Sequence, residues 1–271
     1  MFPGFIPLLD EAQWRSQVRL YLTRCSEAGL PKSRPPSRTM REVERYRLSE
    51  GLVVGRKSLP AGDIILSFVG PQGSIQAIAR KALRPSGRSG RLSLFHHLRY
   101  QLYQKPGSDL PTLTQVELIG RLEGLEAPGR FPYASYLAEL AFRLASPEVA
   151  SRIWPLLTSG LRGVAKYPNP QIAFLWASWR VLKAAGLAPN LSGTGACLLD
   201  GERVEQGGVY LGPKGMEALA AILQLPGSEA IACLEAEAPL EHLQKALLAH
   251  VCYSVGEPAS AQLLVSSHAR G

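Results

Sequence analysis

The 271-residue chain has no C-x-x-C pair, and its four cysteines (Cys25, Cys197, Cys233, Cys252) stand singly with no histidine at metal-ligand spacing. That pattern excludes a tetrahedral metal site built on paired thiols and predicts reduced, mostly buried cysteines. Long apolar runs are missing as well. IACL at 231–234 and the segment from Ile172 to Trp176 fall far short of the ~18 apolar residues that a membrane-spanning helix needs. The amino terminus, MFPGFIPLLDEAQW, has no basic region before its short apolar stretch and soon meets Asp10 and Glu11, which is a poor secretory signal. A cytoplasmic chain is the expectation.

Catalytic constellations are also lacking. SGTG at 192–195 is not followed by the Lys-Ser/Thr of a phosphate-binding loop, so it reads as a turn. His96 and His97 are adjacent, and in a strand they point to opposite faces and cannot chelate one metal. Glu50, Asp63 and Asp109 form no evident pair, and no Ser/His/Asp or Cys/His set assembles. The chain is expected not to be an enzyme.

What is present is a globular composition, 46% hydrophobic and 19% charged, with an uneven charge. Residues 1–45 carry eight Lys/Arg and five Asp/Glu, residues 46–110 ten and three, residues 111–271 twelve and fourteen. The balances of +3, +7 and −2 sum to the net +8, so a polyanionic partner is expected on the 46–110 segment. Within it, RKALRPSGRSGR at 80–91 holds Arg80, Lys81, Arg84, Arg88 and Arg91 with no carboxylate among them.

Residues 1–43 read as an extension ending in a Pro/Ser/Arg linker, PKSRPPSRT, with one amphipathic helix before it; Met40 is a candidate alternative start. From Tyr46 the pattern changes to alternation and short apolar runs: YRLSEGLVVGRKSL, GDIILSFVG, GSIQAIARKA, LSLFHHLRYQLYQ and TLTQVELIG, punctuated by PAG, GPQG, PSGRSG and PGSDLP. Five strands over 44–120 predict a small closed barrel opening with a meander, because closure removes exposed edges. Beyond Gly129 the period moves towards 3.6, and YASYLAELAFRLA, EVASRIWPLLTSGLRGVA, NPQIAFLWASWRVLKAAG, KGMEALAAILQL and LEHLQKALLAHVCYSV read as helices of a domain at 121–271. In the third, Pro170 suits the first turn, Ile172, Leu175, Trp176, Trp179 and Leu182 form a core stripe, and Gly186 ends it. Residues 190–212 are Gly-rich and read as a hairpin-like excursion. The class is α+β, a barrel followed by helices.

Mixed cations and aromatics on a barrel suit nucleic acid, with cations on the backbone and aromatics under bases. Arg56, Lys57, Arg80, Lys81, Arg84, Arg88, Arg91 and Arg99 are the proposed phosphate contacts. Tyr103 and Tyr100 are candidate stacking groups on opposite faces of one strand.

The segment LPAGDIILSFVGPQGSIQAIARKALRP with SLFHHLRYQLYQ, followed by LRGVAKYPNPQIAFLWASWRVLKAAGLAP, resembles the bacterial RecO recombination mediators, most strongly those of the Deinococcus and Thermus group. The resemblance implies an N-terminal OB barrel and a helical domain. It also implies binding of single- and double-stranded DNA, annealing of complementary strands, and loading of RecA past single-strand-binding protein together with RecR, in a nucleoid-associated protein. That family often carries a four-cysteine zinc module after the helix ending here in AAGLAP. Residues 190–212 offer only Cys197, so the excursion is expected to be a degenerate module without zinc, held instead by Leu198, Leu199, Val209 and Tyr210. Two other readings fit the same charge pattern: an RNA-binding module, and a scaffold whose barrel docks an acidic protein.

Overall fold

The computed structural model describes residues 45–60, 62–83, 89–191, 197–199, 202–204 and 209–268. Five strands, β1 (Tyr46–Ser58), β2 (Ile64–Gly70), β3 (Gly73–Ala79), β4 (His96–Tyr103) and β5 (Thr112–Arg121), close into a barrel of order β1-β2-β3-β5-β4. All pairings are antiparallel except β3 with β5, which meet in parallel at Ile78 and Thr112. The long β1 serves both sides of the closure: its first half pairs with β4 and its second half with β2, the change lying near a register shift between Val53 and Gly55. Alternation puts Val53, Ile64, Leu66, Phe68, Ala77, Leu98, Tyr100, Leu102 and Leu113 inside.

The strand expected from Leu92 begins only at His96. Leu92 is fully buried in the barrel core, and Phe95, at φ +61°, turns the chain so that its ring meets Phe131 edge-on at 6.3 Å. Phe95 N donates to Val53 O (2.8 Å), which holds this left-handed residue in place. Likewise GSIQAIARKA stays a strand only to Ala79, because Lys81 adopts φ +53°.

Seven helices follow among the described residues: α1 (Phe131–Leu144), α2 (Ala150–Lys166), α3 (Pro170–Ala184), α4 (Gly212–Gln224), α5 (Gly227–Glu237), α6 (Leu240–Val255) and α7 (Ala261–His268). α3 starts as its sequence dictates, with Pro170 in the first turn and the Asn169 side chain accepting from Gln171 N at 3.0 Å, and it is followed by Gly186 at φ +82°. Its expected stripe is too narrow a description. Ile172, Leu175, Trp179 and Leu182 are buried, but so are Ala173, Phe174, Ala177 and Val181, because α1, α2, α4, α5 and α6 surround it. α2 approaches α3 through glycines: a Cβ on Gly160 would collide with Ala177 Cβ, and one on Gly163 would lie 2.7 Å from Ala173 Cβ. Leu52, Val69 and Phe95 of the barrel join this helical core.

The excursion is a three-stranded antiparallel sheet, β6 (Cys197–Leu199), β7 (Glu202–Val204) and β8 (Val209–Tyr210), in the order β7-β6-β8, rather than a hairpin. Val209 packs against the helical core, whereas Tyr210 is 58% exposed and holds nothing there. The expectation of buried thiols is also corrected: Cys233 and Cys252 are exposed on helix surfaces.

Candidate nucleic-acid interface

Strand register, followed around the outside of the barrel, defines a continuous row. Tyr46 pairs with Tyr103, Tyr103 with Thr112, Thr112 with Ile78, Ile78 with Ile65, and Ile65 with Lys57. Neighbouring strands lie ~4.8 Å apart, so the path over the surface is roughly 24 Å, and because it begins and ends on β1 it winds once around the closed barrel. The inward residues on either side (Leu102, Leu113, Ala77, Ala79, Leu66) are buried, which fixes the row on the outer face. Tyr46 is 50% exposed, and its ring centroid lies 5.0 Å from that of Tyr103 at 43°.

Cations border the row. Lys57 ends it; Arg80 and Lys81 follow the end of β3 just beyond Ile78; Lys105 lies two residues past Tyr103. Among the described residues none of these four comes within ion-pair distance of a carboxylate. Three loops converge there: Leu83 N donates to Gly62 O (3.1 Å), Lys81 N to Asp63 Oδ1 (2.7 Å) and Ile78 N to Pro111 O (2.9 Å). The Asp63 carboxylate is thus committed to a backbone amide and holds Lys81 in its left-handed conformation. The lower outer face continues with Ser67 and Gln76, joined at 3.1 Å, and neither β2 nor β3 contains a charged residue.

The expected site residues divide. Lys57 on β1 and Tyr103 on β4 lie on the row, Arg80 and Lys81 border it past the end of β3, and the exposed Arg56 adjoins Lys57. Arg91 is exposed but lies apart, in the short turn before Leu92, near the start of β4. Arg84 and Arg88 lie outside the described residues. Arg99 is engaged already: its Nη1 lies 3.1 Å from Glu117 Oε2 and its Nη2 4.0 Å from Glu50 Oε2. Glu50 also lies 2.9 Å from His97 Nε2; that hydrogen bond, with the charges of His97 and Arg99, holds its carboxyl below the usual carboxylate range although burial opposes it. Tyr100 is unavailable for stacking on a base, being 3% exposed with its ring 4.2 Å from that of Phe68, and burial pushes its hydroxyl pKa up. Tyr46, Ile65, Ile78, Thr112 and Lys105 complete the row without having been singled out from sequence, because only cross-strand register reveals them.

Residues 43–122 match the family model described as "Recombination protein O N terminal". Curated relatives named "DNA repair protein RecO" align with the chain: one from Heliobacterium modesticaldum at 32% identity over 59% of this chain and 57% of its own length, and one from Symbiobacterium thermophilum at 32% over 60% and 66%. A third, from Moorella thermoacetica, is 30% identical over 55% and 56%. Residues 43–122 thus carry a RecO-type N-terminal domain, and the chain is similar to RecO proteins beyond it. The matched lengths are below two thirds of each of these relatives. The matched segment contains all five barrel strands, and with them the whole row from Tyr46 to Lys57. Among the described residues, no helix is long and apolar enough to cross a membrane, and no group of three potential metal ligands gathers.

Proposed function

We propose that this chain acts in DNA repair and recombination, and that its barrel binds single-stranded DNA across the row from Tyr46 to Lys57. The observation that carries this reading is the row itself: exposed Tyr46 against half-buried Tyr103, half-buried isoleucines further along, and bordering cations that reach no carboxylate among the described residues. Aromatic faces stack on bases while cations follow phosphates, and neither interaction requires a particular sequence. Strand order and the parallel β3–β5 contact suit an OB barrel, whose nucleic-acid face lies on β2 and β3 between loops. The wider reading is a mediator rather than an enzyme. It binds single- and double-stranded DNA, anneals complementary strands and, with RecR, loads RecA onto DNA coated by single-strand-binding protein, in the nucleoid-associated cytoplasm.

Residues 190–212 are read as a degenerate form of the family's zinc module. Backbone pairing of β6 with β7 and β8, together with Val209 against the helical core, supplies the cohesion that four thiolates would otherwise give. The protein is therefore proposed to fold and anneal DNA without zinc. Stoichiometric zinc, lost together with structure on chelation, would contradict this.

The test of the binding reading is affinity for single-stranded DNA, duplex DNA and RNA across a salt series. Four phosphate contacts at the row, from Lys57, Arg80, Lys81 and Lys105, give a slope of log K against log salt of about −3 for single strands, at ~0.7 per contact. A slope shallower than about −1.5 removes the row as the binding surface. Equal affinity for ribose and deoxyribose strands would favour an RNA-binding module.

A further inference from the structure

α2 (Ala150–Lys166) carries three cations and no carboxylate. At about 100° per residue, Arg152, Lys166 and Arg162 fall within an arc of about 80°, and all three are exposed. Ser151 and Ser159 are exposed along the same face. The ordinary reasons for cations on a helix do not account for them. Glu148, one turn before Arg152, accepts from Ser146 Oγ at 2.5 Å instead of pairing with the arginine. Arg162 and Lys166 stand one turn apart with like charge, an arrangement that destabilises a helix. A role in satisfying the helix C-terminus is already filled, because the Arg130 guanidinium donates to Val164 O. Among the described residues none of the three cations reaches a carboxylate.

We propose that this face of α2 binds the phosphate backbone of double-stranded nucleic acid, as a second tract separate from the barrel row. A rise of ~1.5 Å per residue places Arg162 about 15 Å and Lys166 about 21 Å along the helix from Arg152. That length matches roughly six base pairs of duplex at ~3.4 Å each. The face offers cations and hydroxyls, the groups that contact phosphates, and no platform for unstacked bases. The helix's one aromatic, Trp154, is turned instead to His97, at 5.3 Å between rings. The two tracts are mechanically linked. α2 packs on β2 and β3, and Ser74 N, just past the β2–β3 turn, donates to Ala145 O at 2.8 Å; the Lys57 and Arg80 rim is at the opposite end of the same hairpin, about 20 Å away at ~3.3 Å per residue. A duplex on α2 and a single strand on the barrel would thus be held side by side on one rigid support. The inference stands on residues the barrel reading does not use.

The test compares the parent with Arg152→Gln/Arg162→Gln/Lys166→Gln, using a blunt DNA duplex and an oligothymidylate as probes. Glutamine keeps helix propensity, and removing like charges leaves the melting temperature unchanged or raised. Duplex affinity is expected to fall roughly tenfold or more, and the duplex salt slope to flatten by about 2.7, at ~0.9 per lost phosphate contact. Oligothymidylate binding should stay at the parental level, and Arg162→Lys alone should retain duplex binding. The complementary barrel variant, Lys57→Ala/Arg80→Ala/Lys81→Ala, should lose oligothymidylate affinity, so failure of either tract is read separately. Parental duplex affinity and slope in the α2 variant would overturn the proposal. Equal losses on both probes would also overturn it, since they would mean one continuous surface. So would binding of polyglutamate, but not duplex, through these residues, which would make the face a protein-docking surface.

Discussion

Replacing Tyr46 by alanine separates base stacking from phosphate attraction, because the side chain carries no charge and half of it faces solvent. A base stacked on an aromatic side chain contributes ~1–3 kcal/mol, so losing one such platform should weaken single-strand binding by about 5- to 150-fold, at ~1.4 kcal/mol per tenfold. The structural cost is smaller. The ring contact with Tyr103 accounts for about 0.5–1.5 kcal/mol, which at this chain length lowers Tm by roughly 2–4 °C per kcal/mol. Tyr46→Phe keeps the stacking face and should bind as the parent does. The assay is fluorescence anisotropy of a labelled single strand, with a duplex as control; the salt slope should not change, since no phosphate contact is lost. If Tyr46→Ala bound single strands at parental affinity, or lost affinity equally for both probes, the row would not be a stacking surface.

Three other outcomes are expected. The Lys57→Ala/Arg80→Ala/Lys81→Ala variant should flatten the single-strand salt slope by about 2, at ~0.7 per contact, with Tm nearly unchanged because these charges are exposed and reach no carboxylate among the described residues; an unaltered slope moves the phosphate contacts elsewhere. Glu139 on α1 receives Ala259 N (3.0 Å), Ser260 N (2.9 Å), Ser260 Oγ (2.6 Å) and Arg143 Nη2 (2.8 Å), fastening the start of α7. Burial raises its carboxyl pKa, but these hydrogen bonds prevail and hold it below the ordinary 4.5. A lowered folded-state pKa means the stabilisation is present above that ordinary value and is lost as pH falls through the folded one. Urea unfolding should therefore show stability falling below pH 4.5 more steeply in the parent than in Glu139→Gln; identical pH profiles would refute the assignment. Gly163→Val should force α2 from Ala173 of α3 and cost about 1–3 kcal/mol by thermal unfolding, whereas an unchanged Tm would show that the seam can open freely.

Local chemistry was legible wherever neighbours in sequence are neighbours in space. Alternation in IILSFVG and GSIQAIA marked β2 and β3, and Asn169, Pro170 and Gly186 marked the limits of α3. The concentration of cations in 46–110 pointed to the barrel as the charged body. Two helices escaped the periodicity: α5, whose GSEAIACLEAE intersperses acidic and apolar residues, and the short α7, whose start is fastened by Glu139 from far along the chain. Such elements gain their stability from tertiary contacts rather than propensity.

Only the closed barrel decided which basic and aromatic residues remain free to meet a ligand. Arg99 and Lys57 look alike in sequence, yet register sets Arg99 opposite Glu117 and Glu50 and leaves Lys57 at the rim, where it reaches no carboxylate among the described residues. Tyr100 and Tyr103 lie three residues apart; the pleat turns the first onto Phe68 inside and the second onto Tyr46 outside. Charge totals and alternation are properties of the linear chain. Pairing between strands separated by dozens of residues is fixed by closure and core packing, and that pairing brings Tyr46, Tyr103, Thr112, Ile78, Ile65 and Lys57 into one row.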